Sequence, residues 1–317
     1  HLYILKNKTP FGYFTAMFEV RRLLKKIQPG LVNAHYATGY GLLARLVGFK
    51  PTLLSVWGSD VYDFPERSFL HRWVLKGNLK SATAIASTSH CMARKTAQTL
   101  PHRNVFITPF GIDEKAFSPF RKPIIIQDKM VLGTVKTLKE MYGIDILIKA
   151  FSQAWKALGS PKNIVLEISG EGPDLSKLQS LAKELGVNEQ VTFHGQVSHA
   201  SVPNMLNRLD IYCAFSRSES FGVAILEASA CEKPVIVSDA DGPAEVTLDG
   251  KTGIIVPKED VDASALAMVK LINNAELRMQ MGKSGREHVL QNYTWDKSLN
   301  LMIQAYQKTI KINEVNR

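Results

Sequence analysis

The chain has 317 residues, 45% apolar and 21% charged, the balance of an ordinary globular protein with room for two domains. No apolar run approaches the roughly 18 residues of a membrane span, the opening HLYILKNKTP lacks the layout of a signal peptide, and Cys91, Cys213 and Cys231 match neither a zinc pattern nor a disulfide framework. The net charge of +10 is uneven: residues 1–123 carry 18 Lys and Arg against 6 Asp and Glu, whereas residues 124–317 carry 21 against 23. That imbalance fits an anionic partner such as a membrane surface or a lipid phosphate, and fits a solvated basic surface equally well. No nucleic-acid motif accompanies it, which argues against a nucleic-acid partner.

Taken in chain order, short β-rich runs alternate with helical periodicity. Strands are predicted at 2–5, 31–34, 52–56, 83–87 and 104–108. Between the first two, Tyr13, Met17, Val20, Leu24 and Ile27 recur at steps of four and three, the spacing of one helix face. Residues 114–129 carry Pro119, Pro123 and mixed charges and read as an interdomain linker. The alternation resumes with strands at 130–135, 164–168, 190–193, 210–214, 234–238 and 253–256. A helix presents Ile144, Leu147, Ile148, Phe151, Trp155 and Leu158 on one side, and a last apolar stripe runs through Leu299, Ile303, Tyr306 and Ile310. Such alternation in both halves predicts an α/β protein of two Rossmann-like, doubly wound parallel-sheet domains facing a cleft. The domains are expected at residues 1–123 and 124–297.

Ligand-binding loops in open parallel sheets follow the carboxyl ends of strands. The unusual residues of the second half fall there: Lys136 after the 130–135 strand, Gly170, Glu171 and Gly172 after the next, then Gly195, then Ser216–Phe221, then 239–245. The segment SRSESFGVAILEASACEKPVIVS is the most specific. Ser218, Glu219 and Ser220 read as a helix start, Gly222 lets a ligand approach the backbone, and a helix N-terminus attracts phosphate oxygens. Glu219 and Glu227 can then meet a sugar and a ribose; the competing reading is two solvated helix charges.

Glu219 and Glu227, with seven residues between them, resemble the paired-glutamate motif of retaining GT-B enzymes, in particular glycosyltransferase family 4. LGTVKTLKEMYGIDILIKAF, LEISGEGPDLSKL, VTFHGQV and DGPAEVTLDGKTGIIV are similar to that family's motifs in kind and order, and HYATGYG, VWGSDV and TPFGIDEKAFSP are similar more weakly. The resemblance implies a nucleotide-sugar donor, with UDP favoured over GDP, a glycan or lipid-linked acceptor in cell-surface polysaccharide biosynthesis, retention at the anomeric carbon, and neither cofactor nor metal. It implies a cytoplasmic enzyme, peripheral at the inner membrane face. It also implies that residues 298–317 pack back on the first domain.

Carried over by motif position, Glu227 would bind the ribose, Glu219 the donor sugar, and Ser220, Phe221 and Gly222 the sugar and diphosphate. Gly170, Gly172 and Gly195 would border the donor. Lys136 would face the diphosphate and stabilise the charge of the leaving group. The family's second phosphate-loop Lys is replaced by Met141-Tyr142-Gly143, with Lys139 a stand-in. Trp57 stands where the family often has His, which leaves Asp60 or His35 to help acid–base chemistry. Asp239-Ala240-Asp241 spells Asp-x-Asp, a metal motif of a different glycosyltransferase fold, and reads here as turn carboxylates. The opening strand, Gly-rich loop and helix of the family are not found, so a fragment is expected. A degenerate or truncated nucleotide-binding copy, and a phosphorylase or synthase on the same scaffold, are the alternatives.

Overall fold

The protein is described here by a computed structural model covering residues 1–5, 12–120 and 129–315. It divides into two compact units, His1–Pro109 with Ser298–Arg317, and Phe110–Lys297.

In the first unit, strands β1 (Val32–His35), β2 (Thr52–Val56), β3 (Ala84–Ser87) and β4 (Val105–Ile107) form a parallel sheet in that order. Helices α1 (Gly12–Ile27), α2 (Gly39–Val47), α3 (Ser59–Tyr62), α4 (Phe69–Ser81) and α5 (His90–Thr99) connect or flank the strands. Ser68 and Ser89 start α4 and α5 because each side chain accepts a hydrogen bond from a first-turn amide, His71 and Met92 respectively. Leu54, Val56, Leu75, Leu79, Ile85 and Met92 make the core between this sheet and α4 and α5. Residues 2–5 do not form the predicted strand. Leu2 and Ile4 are exposed, and no described strand pairs with them.

In the second unit, β5 (Met130–Val135), β6 (Ile164–Ser169), β7 (Val191–Gly195), β8 (Ile211–Ala214), β9 (Val235–Ser238) and β10 (Gly253–Val256) form a parallel sheet ordered β10-β9-β8-β5-β6-β7. The chain runs outward from β5 to β7, then returns to lay β8 on β5's other edge. The β5/β8 boundary is thus the switch point at which such sheets open a crevice. Helices α6 (Ile144–Ala157), α7 (Leu175–Glu184), α8 (Val202–Arg208), α9 (Val223–Ala230), α10 (Asp241–Val246), α11 (Val261–Ile272) and α12 (Ala275–Asn292) complete the unit. β8 and β9 are buried at every position, which explains why they read as apolar runs with one polar residue, Ser238, at the end of β9. Two apolar clusters build the core, one under α6 and α11 and one under α9.

The change of unit falls at Pro109, ahead of the expected linker, whose residues 121–128 lie outside the described residues. Ile112 N–H donates to Tyr293 O at 2.7 Å, and Ile112 and Phe117 are each 2% exposed within the core under α9. Burial of these two side chains holds the segment on the second unit. The last helix, α13 (Trp295–Val315), belongs from Ser298 onward to the first unit. It buries Ala305 against Leu53, Ala84 and Ala86, flanked by Met302 and Tyr306, while Leu299 and Ile303 stay exposed. The apolar stripe read from the sequence is therefore rotated. Small Ala305 and Thr309 let the helix approach the sheet, and large side chains on the neighbouring face do not.

Candidate functional site

β5 ends at Val135, and the next residue, Lys136, points into the switch-point crevice, where its ammonium pairs with Glu219 from the loop after β8. The other Glu219 oxygen accepts from Ser216 Oγ at 2.7 Å. Lys136 also stands over the Tyr142 ring, 4.4 Å from its centroid, so the cation has an aromatic and an anionic neighbour. Both partners of the pair are largely removed from solvent, with side chains 16% and 11% exposed.

The loop that carries Glu219 is stapled in place. Arg217 donates to Asp145 through two parallel hydrogen bonds of 2.8 Å and to Glu259 at 2.9 Å, while its backbone N–H donates to Met141 O at 2.8 Å. Burial pushes the Asp145 carboxyl up, but the hydrogen bonds and charge of Arg217, with Lys149, outweigh it and hold the group below the usual carboxylate range. Gly143 turns the chain into α6 at φ 62°, and a Cβ there would sit 1.9 Å from Phe215 O. Only glycine fits this approach.

Residues 218–220 precede the helix rather than start it. α9 begins at Val223 behind Gly222, whose φ of 108° breaks the helical path. Glu219 therefore lies on a loop, four residues before the helix. Gly242 N–H at the start of α10 donates to Glu219 O at 2.9 Å. Phe221 is buried between Phe110 and Tyr293, at centroid distances of 5.6 and 6.0 Å, so its ring packs the core.

Glu227, on α9, is 8% exposed and receives His199 Nε2 at 3.3 Å. Burial pushes its carboxyl above the usual range, opposed by the hydrogen bond and charge of His199 and by the charge of Lys136. His199 in turn stands edge-on to Phe117, 5.6 Å between centroids.

Lys136, Tyr142, Gly170, Gly172 and His199 line one cavity of about 890 Å³. Gly170 and Gly172 serve its wall by tight backbone packing: a Cβ at either would fall about 2 Å from Lys136 O or Leu138 O respectively. Gly195 supplies the carbonyl that accepts Gly170 N–H at 2.7 Å. Loops after β5, β6 and β7 thus wall the cavity, the loop after β8 joins it through Glu219, and the loop after β9 holds Glu219 from behind. Lys139 is exposed and lies outside this lining. Asp239 spends one oxygen on Lys258 N–H at 2.8 Å, and among the described residues no cluster of three His, Cys, Asp or Glu side chains is placed to hold a metal.

His35 and Asp60 belong to the first unit. His35 ends β1 and meets Trp57 edge-on at 5.4 Å, and Trp57 is 45% exposed. Asp60 has no exposed surface and accepts backbone N–H groups from Ala37 at 2.7 Å, Gly58 at 2.8 Å and Trp57 at 3.1 Å. Burial pushes its carboxyl up, against the pull of those amides. Such a carboxylate clamps two loops together and is out of reach of an acceptor, contrary to the acid–base part expected of it. His199 is the site residue that sequence reasoning passed over, while Ser216 and Arg217 lay in the loop it singled out and Tyr142 in the replaced phosphate-loop position, each without a role assigned. Arg217, inside the most specific motif, and Tyr142, in place of the expected Lys, carried a local signal; His199 carried none.

A family model described as "Glycosyl transferases group 1" matches residues 118–288, and one described as "Glycosyl transferase 4-like" matches residues 2–89. A GDP-mannose-dependent alpha-(1-6)-phosphatidylinositol monomannoside mannosyltransferase of Mycolicibacterium smegmatis is 32% identical over 59% of this chain and 52% of its own. The chain thus spans about half the length of that relative. A D-inositol 3-phosphate glycosyltransferase of Kribbella flavida is 28% identical over 95% of this chain and 77% of its own. In fold, the chain is similar to sucrose-phosphate synthase from Thermosynechococcus elongatus, with a TM-score of 0.82 and 21% identity over 96% of this chain and 80% of that one. It is also similar to Anabaena HepE in complex with UDP, with a TM-score of 0.83 and 17% identity over 95% and 84%. The two parallel-sheet units are those of the GT-B class.

Proposed function

The chain belongs to the group 1 glycosyl transferases, and from that premise we propose that it moves a hexosyl group from a nucleoside-diphosphate sugar to a hydroxyl acceptor, with retention at the anomeric carbon. The observation that carries this reading is the Lys136–Glu219 pair at the wall of the switch-point cavity, with Glu227 held beside it by His199.

In the reaction, the bond between the anomeric carbon and the β-phosphate oxygen breaks, the acceptor hydroxyl oxygen bonds that carbon on the same face, the hydroxyl proton passes to the departing diphosphate, and negative charge grows on the diphosphate as the bond breaks. Lys136 faces that charge in a partly desolvated place, where a cation is most effective. Glu219, aligned by Ser216 and Lys136, accepts from donor-sugar hydroxyls. Glu227 accepts from the ribose, sharing or replacing His199. The cation comes from the chain, so no metal is required for this step. UDP is the first reading for the nucleotide and GDP the second. The UDP complex of HepE supports the one and the GDP-mannose-dependent relative supports the other. The acceptor is a glycan or lipid-linked glycan, a reading supported by the relative that acts on phosphatidylinositol monomannoside.

Calorimetric titration with UDP and GDP tests this. One nucleotide binds, and Glu227→Ala weakens it by about 10- to 150-fold, the worth of a hydrogen bond to a charged group. Binding unchanged by Glu227→Ala sinks the ribose assignment. Binding of neither nucleotide sinks the donor reading.

A further inference from the structure

The first unit carries an apolar tip that nothing in the donor reading uses. At the start of α4, Phe69 is 85%, Leu70 63% and Trp73 55% exposed. The opposite side of the helix is fixed: Leu75 and Leu79 are fully buried, and Asn78 Nδ2 donates to Ala37 O at 2.9 Å and Thr38 O at 3.0 Å. The helix therefore cannot turn its aromatic side inward.

Helical spacing puts Phe69, Trp73, Lys76 and Lys80 in one line, with Leu70 beside Phe69 and Arg72 on the other flank. The line runs about 16 Å from first to last. Arg45 lies over the Trp73 ring at 5.7 Å. At the far end, Lys76 and Lys80 line a cavity of about 680 Å³ together with Lys50, His102 and Arg103, and among the described residues no carboxylate lines it. The acidic residues nearest in the chain are Asp63 and Glu66, and Glu66 is engaged by Lys95 at 3.4 Å.

We propose that this face of α4 docks on an anionic phospholipid surface. Phe69, Leu70 and Trp73 enter the boundary between headgroups and acyl chains, and Lys76 and Lys80 meet the phosphates. An aromatic tip in line with lysines on one helix side is the arrangement of a helix that lies along an interface, its long cations reaching up to the headgroups. Charge complementarity selects the occupant. A second copy of this face would set Arg72, Lys76 and Lys80 against their own kind, whereas an anionic bilayer attracts each of them.

The test is flotation of the full chain with vesicles of pure phosphatidylcholine or of equal parts phosphatidylcholine and phosphatidylglycerol. The protein floats with the mixed vesicles and not with the neutral ones, and added salt weakens it. Lys76→Ala with Lys80→Ala lowers partitioning about 25-fold, from about fivefold per lysine. Phe69→Ser with Trp73→Ser lowers it more than about tenfold. All four side chains are exposed, so circular dichroism and melting of the variants match the parent. The proposal falls if the parent ignores mixed vesicles or if either double variant floats as the parent does. It falls equally if sedimentation reveals a dimer that Phe69→Ser with Trp73→Ser dissolves while flotation persists, because the face is then an interface between copies.

Discussion

Lys136 is asked to do two things, to hold Glu219 in the resting site and to stabilise the leaving diphosphate in the reaction. Lys136→Ala should lower kcat about 10²–10³-fold, the usual loss of one preorganised electrostatic donor. Lys136→Arg should recover part of it, and EDTA should leave the parent's turnover unchanged. Turnover abolished by EDTA and restored by manganese would overturn the metal-free reading. Glu227 has a distinct pH signature. Its raised pKa means that it loses its charge at a higher pH than an ordinary glutamate, so nucleotide affinity falls as pH drops, and the fall begins at a higher pH than an ordinary glutamate would give. Folding runs the other way: the carboxyl's contribution to stability is greatest below its unfolded pKa and is lost as pH rises through its folded one. Because His199 faces the same carboxylate, the affinity profile is measured in His199→Ala as well. There the fall persists, because Glu227 carries it; a fall that vanishes in this variant would overturn the assignment to Glu227.

At the scale of elements, the loop after β8 is held by the start of α6. Arg217 spans the two through the paired bonds to Asp145 and a 2.6 Å bond to Glu140 O. Asp145→Asn should destabilise the protein by about 1.5–3 kcal/mol at neutral pH and raise KM for the donor by loosening Glu219. The folded pKa of Asp145 is depressed, so its contribution is complete above the ordinary carboxylate value and is lost as pH falls through the depressed one. The gap in melting temperature between parent and variant should therefore close on acidification; a constant gap would mean that packing, not charge, is lost. These contacts also explain what was legible in the sequence. Strands 52–56, 130–135 and 253–256 are read to the residue, because β-branched runs flanked by turns announce themselves. The rotation of α13 was hidden, because periodicity ranks apolarity while packing here favours small Ala305 and Thr309. In the site, Lys136 and Glu219 stood out as the odd residues at strand ends, and the structure joins them. Tyr142, His199 and Arg217 act through partners that folding alone brings near.

At the scale of the whole molecule, every residue assigned above to the proposed donor site lies within one unit. Lys136, Glu219, Glu227, His199 and Arg217 all fall inside Phe110–Lys297, which has its own six-stranded sheet and its own two apolar clusters. Residues 110–297 expressed alone should therefore fold cooperatively and bind nucleotide within about threefold of the full chain, a difference of about 0.7 kcal/mol. The choice of first residue decides the outcome. Starting at 124 deletes Ile112 and Phe117, two side chains buried to 2% exposure, and the bonds of Ile112 with Tyr293 and Trp295. At about 1.5–3 kcal/mol for each buried side chain, the shorter piece forfeits much of a domain's usual margin of about 5–15 kcal/mol. It also uncovers the cluster that carries α9 and Glu227. Urea titrations of the two pieces, followed by nucleotide titration, separate the alternatives. The 110–297 piece should unfold at clearly higher urea and bind, and the 124–297 piece should unfold early and bind weakly. Equal stability would show that 110–120 is a passive connector. Loss of nucleotide binding by a well-folded 110–297 piece would show that the first unit takes part in holding the donor.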